Sequence, residues 1–248
     1  MVLCASALLA LSAAPVFAVE TTLTCTVDTF ISNAGPNTNY DAAGYVGLGI
    51  VGADKYRTLL RFDLSGIPSK IVGAKLRVYY YDGYASPTGA VQVYRVKRAW
   101  SETQATWNNA ASGSVWQMPG AMGLDDIAPD PLAQVVAPAA YPTWFELDLD
   151  ALTVDRMRSG YYPNEGFLMR GDWDESPALL THLYRGRTEV NGPELVVTYQ
   201  DEVLPTVTTP ASSTWSQTLA AVIGIGCIVA FEPLRRLVVG NGSEAAHR

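Results

Sequence analysis

The sequence predicts an all-β sandwich, and three observations carry that prediction. In residues 56–68, YRTLLRFDLSGIP, Leu59, Arg61 and Asp63 fall on one face of an extended chain and Thr58, Leu60, Phe62 and Leu64 on the other, until Ser65, Gly66 and Pro68 force a turn. The same strand-like pattern recurs in residues 23–31, 45–51, 56–63, 72–81, 90–97, 143–150, 166–170, 179–184 and 194–199, with Gly, Pro, Asn or Asp breaking the runs. No internal repeat is present, which argues against a solenoid or a propeller.

The elements follow in order along the 248 residues. Residues 2–18 are apolar and uncharged, and Val16-Phe17-Ala18 offers small residues for cleavage before Val19, so residues 1–18 are expected to be a signal peptide. No Lys or Arg precedes the apolar core, a departure from the usual signal. Residues 19–200 form the β-module. Within it, residues 109–142 are rich in Gly, Pro and Ala and are expected to be a surface excursion covering one end of the sandwich. Residues 151–158 are the one helix-like stretch, with Leu152, Val154 and Met157 apolar, Asp150 placed to cap it and Gly160 to end it.

Residues 201–214 are a Pro/Thr/Ser-rich linker. Residues 215–233 are expected to be a transmembrane helix: Trp215 leads into a charge-free run from Leu219 to Phe231, and Arg235 and Arg236 follow. Residues 215–231 would rise about 25 Å as a helix, slightly short of the ~30 Å hydrocarbon core. The arginines place residues 234–248 inside and the β-module outside, anchored at the cell surface. A buried soluble helix is the competing reading, because a run this short is ambiguous.

The net charge of −7 argues against nucleic acid. Cys4 leaves with the signal and Cys227 falls in the expected membrane helix. Cys25 alone then remains in the module, so no disulfide can form there, and it is expected to be a buried strand residue.

The run at 56–68 has a recognisable setting: DTFIS at 28–32, AKLRVYYY at 74–81, VYRVKRAWSETQATWNN at 93–109, GFLMR at 166–170 and PELVVTY at 193–199. In this order the segments resemble the disaggregatase-related (DNRLRE) jelly-roll modules grouped with carbohydrate-binding module family 96, over roughly residues 24–199. The resemblance implies a jelly-roll sandwich and a non-catalytic surface module that binds a polysaccharide or cell-surface glycan. It also makes Trp100 and Trp107, which flank a tight loop, packing residues.

Catalytic signatures are missing: His182 sits inside a strand pattern with no nucleophile motif, and Glu102, Asp148, Asp172, Asp174 and Glu175 have no spacing that makes two of them converge. Aromatic rings stack on sugars, and the best exposed candidate is Trp173, in an acidic loop with Asp172, Asp174 and Glu175. Tyr84, in the turn Asp82-Gly83-Tyr84, is second. Within Tyr79-Tyr80-Tyr81, alternation sends at least one ring into the core. Hard oxygen ligands suit a structural calcium, and Asp28, Asn33, Asn37 and Asp41 cluster near the first turn. The expected function is a cell-surface carbohydrate-binding module tethered by the C-terminal helix. The alternatives are a surface-layer, filament or adhesion subunit binding protein partners, and a polysaccharide lyase or hydrolase.

Overall fold

Thirteen named elements come in the order β1 (Val16–Ser32), β2 (Tyr45–Val51), β3 (Asp54–Phe62), β4 (Ile71–Tyr84), β5 (Ala90–Arg95), β6 (Asn109–Ala111), β7 (Ser114–Val115), β8 (Ala133–Val136), β9 (Thr143–Asp148), α1 (Ala151–Arg158), β10 (Phe167–Gly171), β11 (Leu179–Arg185) and β12 (Glu194–Glu202), with a 3-10 turn at Asp41–Ala43. The structure is a computed structural model and describes residues 16–84, 89–172 and 179–202.

β1 organises the fold because its two halves have different partners. Val16 to Thr24 pair with β12, and Cys25 to Ser32 pair with β3, with an irregularity between Cys25 and Val27. β12 continues to β4, β4 to β11, β11 to β2 and β2 back to β3, so the hydrogen-bonded path closes on itself. β9 extends from β4, while β10, β5 and β8 extend from β3. All of these pairings are antiparallel, and the result is a jelly-roll-like sandwich with one short α-helix.

β3 faces two separate cores, as its alternation requires. Leu60 and Phe62 point into the main core with Leu76, Val78, Phe145, Leu147, Phe167 and Val197. The Phe62 and Phe167 rings lie 6.1 Å apart. Leu59 points the other way, with Ile31 and Leu168, into a second core formed with Trp100, Trp107 and Trp116. The excursion therefore covers the outer face of the β3–β10–β5 layer rather than one end of the sandwich.

A buried carboxylate pins that cover. Asp126 accepts hydrogen bonds from the backbone of Gln117, Met118 and Gly123 and from Arg98 Nε at 2.6 Å. Burial alone would raise its pKa, but these donors outweigh burial and hold it below the usual carboxylate value. Such a group stitches an otherwise irregular stretch to the sheet. The isolated bridge between Val96 and Ile127 lies beside it.

α1 begins and ends where its sequence predicts. Asp150 accepts from Thr153 N at 3.2 Å and from its hydroxyl at 2.6 Å, and Gly160 takes φ +77° beyond the last turn. Val154 and Met157 enter the main core, whereas Leu152 is exposed.

The membrane helix is a correction to the sequence reading. Among the described residues no helix is long and apolar enough to cross a membrane, and residues 215–233 lie outside those described. The physical weakness was length: Leu219 to Phe231 is shorter than the ~18 apolar residues that identify a span. The tether, the membrane as a partner and the surface-anchored location were all inferred from that helix and are withdrawn with it. At the other end, β1 begins at Val16, three residues ahead of the expected cleavage point.

Candidate functional site

The main-core face of β1 and β3 runs out to solvent at one place. Phe30 is paired with Thr58 and Ser32 with Tyr56, so these side chains share the face that carries Leu60 and Phe62 deeper in. Thr58 is fully buried, but Tyr56 at the next position on that face is half-buried. Here the cover of apolar residues ends and an aromatic cluster begins.

Phe30 is its anchor. The Tyr40 ring stacks on it at 4.3 Å, Tyr45 at 5.5 Å, and Tyr56 tilts against it at 6.2 Å. Tyr45 is 37% exposed and starts β2, just after Gly44 at φ +70° turns the chain. β2 then contributes Gly47 and Gly49, and Gly49 is registered opposite Tyr56, so no side chain from these positions covers the rings. A Cβ on Gly47 would stand 3.3 Å from Leu183 Cδ2 and narrow the floor. The groove has a volume of about 220 Å³ and is lined by Phe30, Tyr45, Gly47, Tyr56, Thr181 and Leu183. Burial raises the Tyr56 pKa, so its phenol stays neutral and can donate as well as accept.

One end of the groove meets a charged cluster. Arg187 Nε donates to Glu102 at 2.6 Å and lies 3.3 Å from Asp28, whose other oxygen accepts the Arg187 backbone N–H at 2.7 Å. Glu102 also accepts from Asp28 N. Burial raises the Asp28 pKa against the pull of Arg187. Asp28, Asp41, Tyr45 and Arg187 line a cleft of about 10 Å³, room for about one water. This cleft shares Tyr45 with the groove and has no space for a sugar ring.

The residues expected to bind calcium are placed as follows. Asp28 is held by Arg187 as described, and Asp41 opens the 3-10 turn. Asn33 spends its side chain on the β2–β3 turn, donating to Ala53 O at 3.0 Å and accepting from Lys55 N. Among the described residues no group of three or more His, Cys, Asp or Glu is gathered to hold a metal ion.

Of the expected sugar-binding residues, Trp173, Asp174 and Glu175 lie outside the described residues. Asp172 is exposed and exchanges hydrogen bonds with Ala90, closing the end of the β10–β5 pair. Tyr84 ends β4, and its backbone is registered opposite Thr181 of the groove. The remaining aromatics divide as the alternation implied: Tyr80 is fully buried while Tyr79 and Tyr81 are half-buried, and Trp100, Trp107 and Trp116 are buried packing residues. Trp144 lies on the outer face of β9, but Arg77 covers its ring at 4.5 Å and Tyr79 meets it edge-on at 5.3 Å. That face is a lattice of ion pairs, Lys75–Glu146, Arg77–Glu146 and Arg77–Glu194. His182 is fully buried and stacks on Tyr80 at 4.4 Å, and burial lowers its pKa to about 4.

The β-sandwich thus carries an open tyrosine groove, with His182 sealed in the core and Asp28 and Glu102 tied to one arginine. Residues 19–118 match the model of carbohydrate-binding module family 96. Modules of that family are non-catalytic, and on this match the chain is not an enzyme. The matched stretch is shorter than the resemblance over residues 24–199; it ends after β7, while the strands of the sandwich continue to Glu202. No curated protein matches the chain.

Proposed function

We propose that this chain is a non-catalytic carbohydrate-binding module whose sugar site is the tyrosine groove around Phe30. The observation that carries the reading is the set of three tyrosines packed on one buried phenylalanine beside Gly47 and Gly49 of β2. Such rings offer flat apolar faces to a pyranose while their hydroxyls bond its hydroxyls. The matched family supplies the ligand class.

A glycan array probed with the full chain tests this. Tyr45→Ala is expected to lower affinity for any retained glycan by about tenfold or more, equivalent to ~1.4 kcal/mol, with the melting temperature nearly unchanged because Tyr45 is partly exposed. Unchanged affinity would move the site away from the groove, and Trp173→Ala and Tyr84→Ala would then test the loop platform of Asp172, Trp173, Asp174 and Glu175. Repeating the array in chelator tests the proposal of a structural calcium near Asp28, Asn33 and Asp41. Binding and melting that ignore chelator would remove it.

A second reading, an assembly subunit with protein partners, is favoured by the open edge of the second layer. β8 pairs with β5 alone among the strands, and Val136 at its end is 59% exposed. Light scattering of the full chain decides it, since a monomer at all concentrations would exclude self-assembly.

A further inference from the structure

At the end of β5 a cation is buried with no counter-ion among the described residues. Arg95, the last residue of β5, is 8% exposed, and its guanidinium lies over the Tyr162 ring at 4.1 Å. It makes no ion pair with a carboxylate among the described residues. An uncompensated buried charge is costly, and a cation–π contact offsets only part of that cost. Burial accordingly lowers the Arg95 pKa. The side chain opens into a pocket of about 390 Å³, which Pro129, Pro131, Leu132, Thr153 and Tyr162 also line.

The two carboxylates at this pocket do not neutralise it. Asp150 is committed to capping α1 through Thr153, and Asp130 is exposed at the rim, outside ion-pair distance of Arg95. A second cation stands close by. Arg156 of α1 donates to the Tyr162 hydroxyl at 3.2 Å and lies over the Tyr162 and Tyr161 rings, again without a carboxylate partner among the described residues.

We propose that this pocket docks an acidic protein segment, which sets one Asp or Glu carboxylate on the Arg95 guanidinium. A planar carboxylate matches the donor fork of arginine and supplies the charge that the fold leaves out. The Tyr162 ring is already contacted by Arg95, Arg156 and Tyr161, so it offers poor stacking for a sugar. Proline and leucine walls suit an extended peptide, and Tyr161, 72% exposed and edge-on to Tyr162, provides apolar contact beside the pocket. The site shares no residue with the tyrosine groove and does not depend on the sugar reading.

The test uses the full chain and two displayed heptapeptide libraries that differ only in a fixed central Glu or Gln, with an oligoglucuronate hexamer as a third probe. Clones should be enriched from the Glu library, and Arg95→Gln should weaken them at least tenfold without lowering the melting temperature or altering glycan retention by the groove. Arg156→Gln, at a half-buried position, should weaken them about threefold and serves if Arg95→Gln fails to fold. Equal enrichment from both libraries, undiminished binding by these variants, or preferential Arg95-dependent binding of the oligoglucuronate would each overturn the proposal.

Discussion

Phe62→Ala is expected to lower the unfolding free energy by about 3 to 5 kcal/mol, because it removes a ring that is 1% exposed and packed against Phe167 at the centre of the main core. The vacated volume cannot be refilled cheaply. Leu60 and Leu76 of the same core sit on strands of the closed hydrogen-bonded path, and Phe167 sits on β10, which is held between β3 and β5. A domain of this size shifts its melting temperature by about 2 to 4 °C per kcal/mol, so the variant should melt roughly 6 to 20 °C below wild type. Against a typical stability of 5 to 15 kcal/mol, some preparations will be partly unfolded at 37 °C. Urea unfolding with an unchanged slope and a lower midpoint would confirm that packing is the cause. A midpoint within experimental error of wild type would mean that Phe62 faces outward.

That prediction was available from the sequence because alternation in residues 56–64 is local information. Each strand long enough to show a two-residue period announces which side chains share a face, and the split of Leu59 from Leu60 and Phe62 follows directly. The α1 boundaries were legible for the same reason, since Asp150 and Gly160 act on their own neighbours. β6, β7 and β8 were missed within the excursion. They are two to four residues long, and the Asp126 knot and pairing to β5 hold the region in place more than any periodic signal does.

The groove was illegible for a different reason. Phe30, Tyr40, Tyr45 and Tyr56 belong to separate segments, and only the pairing of β1 with β3 and β3 with β2 brings their rings together. Sequence reasoning favoured Trp173 and Tyr84, single rings whose loop and turn settings can be read locally. A signal was nonetheless present in YVGLGIV at residues 45–51. Glycine at alternate positions of one strand face weakens the strand and marks a surface where another group comes close. The membrane segment failed on a magnitude, since thirteen charge-free residues fall between a buried helix and a span.

His182→Gln is expected to flatten the acid limb of the stability curve. The wild-type ring is fully buried, and burial lowers its folded pKa to about 4 from an ordinary value of 6.5. Between those values the unfolded chain binds a proton that the folded chain refuses, so stability is present in full above pH ~6.5 and is lost as pH falls towards 4. Two and a half pH units at 1.36 kcal/mol each amount to about 3 kcal/mol, and below pH ~4 this contribution stops changing. Two buried carboxylates also shape the acid limb: Asp126, with its lowered pKa, holds its contribution until lower pH, and Asp28, with its raised pKa, acts in the opposite direction. Both remain in the variant, so the difference between the two curves isolates the histidine. The cause is desolvation rather than attraction to a charge, so the difference should persist at high salt, where surface ion pairs fade. Urea unfolding of both proteins from pH 7.5 to 4 measures it. Parallel curves, or a His182 ring resonance that titrates near 6.5 in the folded protein, would show that water reaches the ring and that its stacking on Tyr80 does not seal it.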